Sequence, residues 1–249
     1  MGESPIRARG PVPDADAAEL LRAGSLAVLG RLPWSSNATF LVDVRPSGAP
    51  DAEPALQAVY KPARGERPLR DFPPGLHRRE VAAYELSAAL GWGLVPPTVL
   101  RVGPLGEGSL QLFVPADFEQ HYFTLRERPE LQPALRRLCA FDVVANAADR
   151  KGGHVLLEGD DRIWAIDNGL CFHAAFKLRT VLWDFAGDPL PTGVRDGLTS
   201  LAGGGLPAAL ADLLDSYECA AVVARAETLL SDGRYPADPS GRRWPWPVV

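Results

Sequence analysis

Asp149-Arg-Lys-Gly-Gly-His154, Val155-Leu-Leu157, Glu158-Gly-Asp-Asp161, Ile163-Trp-Ala-Ile166 and Asp167-Asn-Gly169 together decide how the chain is read. The run contains two short apolar strands, Val155–Leu157 and Ile163–Ile166, joined by a polar turn. One carboxylate stands just before the pair and another just after it, eighteen residues on. Asp-Arg pairs are common, and Asp-Asn-Gly taken alone is an ordinary tight turn. The run gains meaning from what precedes it. Pro129 to Ala147 has Leu131, Leu135, Leu138, Phe141 and Val144 at helical spacing, so Asp149 follows an apolar helix.

Further upstream, Asp14 to Arg22 reads as a short helix, acidic in its first turn and stopped by Gly24. Ser25–Leu32 and Ala38–Val44 read as strands around the turn Pro33-Trp-Ser-Ser-Asn37. Ala55–Lys61 is a third strand, ended by Pro62. The charged, proline-rich stretch from Ala63 to Gly75 is a loop. Leu76–Leu90 returns to helical spacing, with Gly91 and Gly93 as stops. Thr98–Val102 and Ser109–Val114 are two more strands. Downstream, Leu206–Tyr217 and Ala220–Leu230 read as closing helices, and Gly241–Val249, rich in Trp and Pro, as an irregular strap. The first half is therefore an antiparallel sheet with one helix, and the second half is mainly helical.

Four features occur in one order: the Ser35-Ser36-Asn37 turn, Lys61 at the end of an apolar strand, Glu80 early in the next helix, and Asp149 followed by Asp167. Phosphoryl transfer needs such parts. Turn N–H groups take phosphate oxygens, a Lys held by a Glu neutralises their charge, one Asp orients or deprotonates the acceptor hydroxyl, and another holds a divalent metal. Each part also has an ordinary reading, as a hairpin, a solvated strand end or a surface helix charge. The order and spacing carry the functional one.

Bulk properties are ordinary for a soluble globular protein. The chain has 249 residues, 46% hydrophobic and 23% charged, with net charge −5 and no basic run, which speaks against nucleic acid and stable membrane association as partners. Lys occurs only at positions 61, 151 and 177. Cys139, Cys171 and Cys219 have no metal-ligand spacing and read as free thiols of a reducing, cytoplasmic setting. No stretch has the length of a membrane span, and the N-terminus lacks the apolar run of a signal peptide.

The segments Ala58-Val-Tyr-Lys-Pro62, Arg79-Glu-Val-Ala-Ala-Tyr84, Val95-Pro96, Gly108-Ser-Leu-Gln-Leu-Phe-Val114, Ala148-Asp-Arg150 and Ala165-Ile-Asp-Asn-Gly-Leu-Cys-Phe172 resemble the catalytic domain of type II phosphatidylinositol 4-kinases. That group is related to the HipA-like and secretory-pathway protein kinases, within the wider phosphatidylinositol 3- and 4-kinase-like set. The resemblance covers roughly residues 25–175. It implies an α+β, two-lobed protein-kinase-like fold: an extension over 1–24, an antiparallel-sheet N-lobe with one helix over 25–114, and a mostly helical C-lobe over 115–249.

It also implies roles. Lys61 would contact the ATP phosphates and pair with Glu80; Ser35, Ser36 and Asn37 would sit by the phosphates, and Gln111, Phe113 and Val114 by the adenine. Asp149 would be the catalytic carboxylate and Asp167 the ligand of Mg2+ or Mn2+. One position departs from the pattern. Where relatives carry Asn as a second metal ligand, five residues after the catalytic Asp, this chain has His154. Imidazole suits a softer metal than magnesium. A second-metal ligand, a proton-transfer group, a mark of a one-metal or inactive site, and a structural residue all stay open for His154. Lys151 is placed to reach the transferred phosphate. The expected activity is transfer of the γ-phosphate of ATP to a hydroxyl of an unidentified protein or small molecule. A nucleotide-binding pseudokinase, a lipid kinase and an AMP transferase are the alternatives.

Overall fold

The computed structural model describes residues 12–33, 35, 37–48 and 53–249. They form two compact units, one comprising the chain up to Val81 with Pro96–Pro115, the other Ala82–Val95 with Ala116–Val249. The division falls inside a helix.

In the first unit, helix α1 (Asp14–Ala23) carries Asp14 and Asp16 in its first turn, where the helix dipole favours them. At its end the Gly24 N–H donates to the Leu20 carbonyl at 2.8 Å. A Cβ on Gly24 would lie 2.6 Å from that same oxygen and from Val44, so only glycine allows this approach. Five antiparallel strands follow: β1 (Ser25–Arg31), β2 (Phe40–Arg45), β3 (Leu56–Pro62), β4 (Thr98–Gly103) and β5 (Gly106–Leu112), in the order β1-β2-β3-β5-β4. Period-two alternation divides their side chains. Val42, Val44, Leu56, Ala58, Tyr60, Val99, Leu110 and Leu112 form one core with Ala17 and Leu21 of α1.

The opposite face is polar yet buried. There Gln57 Nε2 donates to Asp43 Oδ1 at 3.1 Å, and Gln111 Nε2 donates to Thr98 Oγ1 at 2.9 Å. Lys61 shares this face, because it pairs in register with Ser109 two positions from Gln111. Helix α2 (Leu76–Ala89) begins in this unit and brings Glu80.

In the second unit a single apolar core joins α2 from Ala82 onward to α3 (Tyr122–Leu125), α4 (Gln132–Ala145), the hairpin β6 (Val155–Glu158) and β7 (Arg162–Ala165), α5 (Thr192–Gly204), α6 (Ala208–Ala211) and α7 (Ser216–Asp232). Cys139 and Cys171 are buried here as free thiols, and Cys219 is partly buried.

Three stretches differ from the sequence reading. Helix α5 is unannounced because Gly193, Gly197, Gly203 and Gly204 lower its propensity. Its buried Val194, Leu198 and Leu201 nevertheless keep helical spacing. Gly197 is required by packing, since a Cβ would lie 2.6 Å from Trp92 Nε1 and 2.8 Å from the Leu90 carbonyl oxygen. The expected helix over 206–217 shrinks to α6. Asp215 instead caps α7, its carboxylate accepting from the Glu218 N–H at 2.8 Å while Glu218 accepts from the Asp215 N–H at 3.1 Å. Strand β5 starts earlier than Ser109 and ends at Leu112, leaving Phe113 and Val114 beyond it. Among the described residues no helix is long and apolar enough to cross a membrane.

Candidate active site

Each unit holds its own group of the residues singled out above. In the first, Lys61 Nζ donates to Glu80 Oε1. Glu80 is almost fully buried, with 3% of its side chain exposed, while Lys61 keeps 20%. A buried carboxylate requires a charged or hydrogen-bonding partner, and here the strand-end ammonium serves. Gly108 lets β5 lie close to this strand end: a Cβ there would meet the Lys61 carbonyl oxygen at 2.5 Å and Pro62 Cα at 2.7 Å.

The turn before β2 is pinned from the far side of the loop that follows β3. The Ala38 N–H donates to the Gly65 carbonyl at 3.1 Å, and the Arg67 N–H donates to Asn37 Oδ1 at 3.0 Å. Ser35 Oγ and Thr39 Oγ1 lie 2.7 Å apart in a hydrogen bond. Ser36 lies outside the described residues. Gln111 lies in β5, the buried Phe113 and Val114 continue from it, and the Phe113 N–H is engaged by the Gln57 carbonyl at 3.0 Å.

In the second unit Asp149, Lys151, His154 and Asp167 come together. Lys151 Nζ is 3.4 Å from Asp149 Oδ2. Burial pushes the Asp149 carboxyl above its ordinary range; the charge of Asp167 adds to the shift, while Lys151 and Arg179 oppose it. His154 Nε2 lies 3.4 Å from Asp167 Oδ2. The Lys151 N–H donates to His154 Nδ1 at 3.4 Å, which places the ring proton on Nε2, toward Asp167. Asp167 has φ +59°, the left-handed region that non-glycine residues seldom occupy, and 56% of its side chain is exposed. That pose offers the carboxylate outward.

Among the described residues no three His, Cys, Asp or Glu side chains converge as a metal cluster. An exposed carboxylate such as that of Asp167 suits a cation that brings phosphate oxygens of its own, as Mg2+ does on a nucleotide.

Several residues at this site carried no sequence expectation. Asp142 and Arg150 form a fully buried ion pair at 3.0 Å. The left-handed Asn146 ends α4, and its Nδ2 donates to the carbonyls of His173 and Ala175, each at 2.8 Å. The Gly152 N–H donates to the Val248 carbonyl at 2.7 Å, so the C-terminal strap lies against the loop between Lys151 and His154. A carboxylate at position 142, on the same helical stripe as Leu135 and Leu138, is the sequence signal from which a buried basic partner could have been inferred.

No family model matches the chain. It is 40% identical to Protein Rv2133c of Mycobacterium tuberculosis over an alignment 274 positions long, which covers 94% of this chain and 95% of that one. Among solved structures it is similar to that of hydra Fam20 with sugar, at a TM-score of 0.59 and 15% identity over 88% of this chain and 87% of that one. The Helicobacter pylori proinflammatory kinase CtkA aligns at a TM-score of 0.46 and 11% identity, over 86% of this chain and 94% of that one. The fold is α+β and kinase-like.

Proposed function

The chain belongs to the same family as Protein Rv2133c of Mycobacterium tuberculosis, and from the kinase-like fold and the geometry of the site we propose that it is an ATP-dependent phosphotransferase. It moves the γ-phosphate of ATP to a hydroxyl of a protein or small molecule. The Lys61–Glu80 pair supports this most directly. A buried carboxylate holding a strand-end ammonium is what a phosphate-binding lysine requires.

The remaining roles follow from chemistry. Lys61 neutralises nucleotide phosphate charge. Asp149, whose raised pKa makes it a better proton acceptor, receives the proton of the acceptor hydroxyl. The hydroxyl oxygen bonds to the γ-phosphorus, the bond to the β–γ bridging oxygen breaks, and ADP leaves. Lys151, beside Asp149, faces the charge that develops on the phosphoryl group. A divalent cation on the phosphates, bound through Asp167, would neutralise further charge there. Within kinase-like proteins, the resemblance of its motif segments to type II phosphatidylinositol 4-kinases and HipA-like kinases supports a reading close to those groups.

One observation favours a second reading, a nucleotide-binding regulatory module. His154 presents an N–H to the Asp167 oxygen that a metal would need. Incubation with γ-labelled and, separately, α-labelled ATP decides between the readings. Mg2+ or Mn2+ is supplied, with lysate of the source organism or phosphatidylinositol vesicles as acceptor. Label passing from the γ position only, and lost in Asp149→Asn, is the expected result. Transfer of α label indicates AMP transfer instead. Nucleotide binding without transfer indicates the regulatory module. In Asp167→Asn, metal-dependent nucleotide affinity falls more than in Asp149→Asn.

A further inference from the structure

We infer that Arg150 is a positioning residue whose guanidinium, anchored by Asp142, sets the turn that presents the Asp167 carboxylate and couples it to the loop bearing Asp149. The inference rests on the proposed phosphotransferase reading and deepens it.

Arg150 is almost fully buried although it adjoins the partly exposed Asp149. Its Nε donates to Asp142 Oδ1 at 3.0 Å and Oδ2 at 3.3 Å. Its Nη1 donates to the Ile166 carbonyl at 2.7 Å, and its Nη2 to Asn168 Oδ1 at 2.6 Å. Ile166 and Asn168 flank Asp167. One planar fork thus grips the residues on both sides of the left-handed one. Asn168 is fixed in turn, its Nδ2 donating to the Ala165 carbonyl at 3.1 Å, at the end of β7.

The other end of the fork is held as firmly. Thr180 Oγ1 donates to Asp142 Oδ2 at 2.8 Å. The Arg150 backbone is stitched to the same segment: its N–H donates to the Arg179 carbonyl at 3.0 Å, and the Val181 N–H donates to the Arg150 carbonyl at 3.2 Å. Displacing Arg150 would therefore move Asp149 along the chain and Asp167 across the fork. Lysine keeps the charge, but its single nitrogen cannot reach three diverging acceptors in a fixed plane.

The test compares wild type, Arg150→Lys, Asn168→Ala and Val222→Ala. The last truncates a buried core residue of α7 outside the site. For each, the affinity for a non-hydrolysable ATP analogue is measured with and without Mn2+, alongside kcat, KM and Tm. Partners behind a metal ligand typically change metal affinity roughly ten- to a hundredfold. Arg150→Lys and Asn168→Ala are expected to lose that much Mn2+-dependent affinity and to lower kcat, with metal-free affinity unchanged. Val222→Ala is expected to lower Tm and leave the metal dependence alone.

Wild-type metal dependence in Asn168→Ala, or a loss in either site variant that merely follows Tm as in Val222→Ala, overturns the inference. If Arg150→Lys does not fold, Asn168→Ala decides. A wild type with neither metal-dependent binding nor turnover removes the phosphotransferase reading together with this inference, whereas an active wild type with unaffected variants removes the inference alone.

Discussion

The two groups of site residues stand on different kinds of structure. Lys61 and Glu80 are carried by a strand and a helix, where strand alternation and helical phase aim the side chains. Asp149 and Asp167 lie in irregular segments, aimed by side chains and carbonyls distant in sequence: Asp142, Thr180 and Val248. Regular elements position a group through many equivalent backbone bonds. An irregular loop depends on a few specific ones, so single substitutions far from the chemistry should disturb the second group more than the first.

The largest effect expected in the first group comes from the Lys61–Glu80 ion pair. Lys61→Met should lower turnover by more than about a hundredfold, the scale seen when a donor to developing charge is removed. It also breaks the ion pair of a carboxylate that is 3% exposed, so stability should drop by about 3 kcal/mol. Adding Glu80→Gln should restore much of that stability but none of the turnover. Melting curves and steady-state rates on the single and double variants check this; recovery of turnover in the double variant would reject the phosphate role of Lys61.

The same contrast explains what could be read beforehand. Lys61 was legible because a run of apolar strand residues ends on it and Pro62 closes the strand, and Glu80 because it falls early in a periodic helix. Asp149 and Asp167 were legible as motif residues flanking a hairpin, yet nothing local showed how they are held. Arg150 looked like an ordinary neighbour of Asp149, because its partners at 142, 166 and 168 have no common spacing. Helix α5 was hidden for a related reason. Gly197 serves a contact with Leu90 and Trp92, about a hundred residues away, and tertiary packing overrides the low propensity of its glycines.

Paired glycine substitutions sharpen the comparison. In the sheet, Gly108→Ala would drive a Cβ to 2.5 Å from the Lys61 carbonyl oxygen, a backbone atom that cannot step aside. A loss of about 3 kcal/mol is expected, at the upper end for overpacking. In the loop, a Cβ on Gly152 would stand 3.1 Å from Phe123 and 3.3 Å from the Val248 carbonyl oxygen. A shift of a few tenths of an ångström relieves this, so Gly152→Ala should cost about 1 kcal/mol. That small shift occurs between Lys151 and His154, so activity should fall further than stability. Denaturant titration beside kcat tests both; a Gly152→Ala enzyme with full kcat would show that the strap does not position this loop.

The smallest effect expected concerns a polar cluster of the sheet unit near Glu80. His77 Nδ1 and Glu66 Oε1 are 2.6 Å apart, His77 Nε2 and Glu107 Oε1 3.2 Å. Burial works against a charged His77, but the hydrogen bonds and charges of Glu66 and then Glu107 outweigh it, so the His77 pKa is raised. Burial likewise works against a charged Glu66, yet its bonds from the His77 side chain and from the N–H groups of His77 and Gly75 lower its pKa.

The raised histidine contributes stability that is full below its unfolded pKa of about 6.5 and is lost as pH rises through the folded value. The lowered glutamate contributes stability that is full above its unfolded pKa of about 4.3 and is lost as pH falls through the folded value. Both contributions are complete between these two unfolded values. There His77→Gln should cost about 0.5–1 kcal/mol, and the gap from wild type should narrow as pH is raised. Glu66 has 14% of its side chain exposed and Glu107 has 52%. Solvent and salt therefore screen the Glu107 contact more, and Glu107→Gln should shift Tm less than Glu66→Gln, with the difference shrinking further for Glu107 in high salt. Melting curves of the three variants across pH and ionic strength test this, and a His77→Gln gap that stays constant from acid to alkaline pH would show that the folded His77 pKa is not raised above its unfolded value.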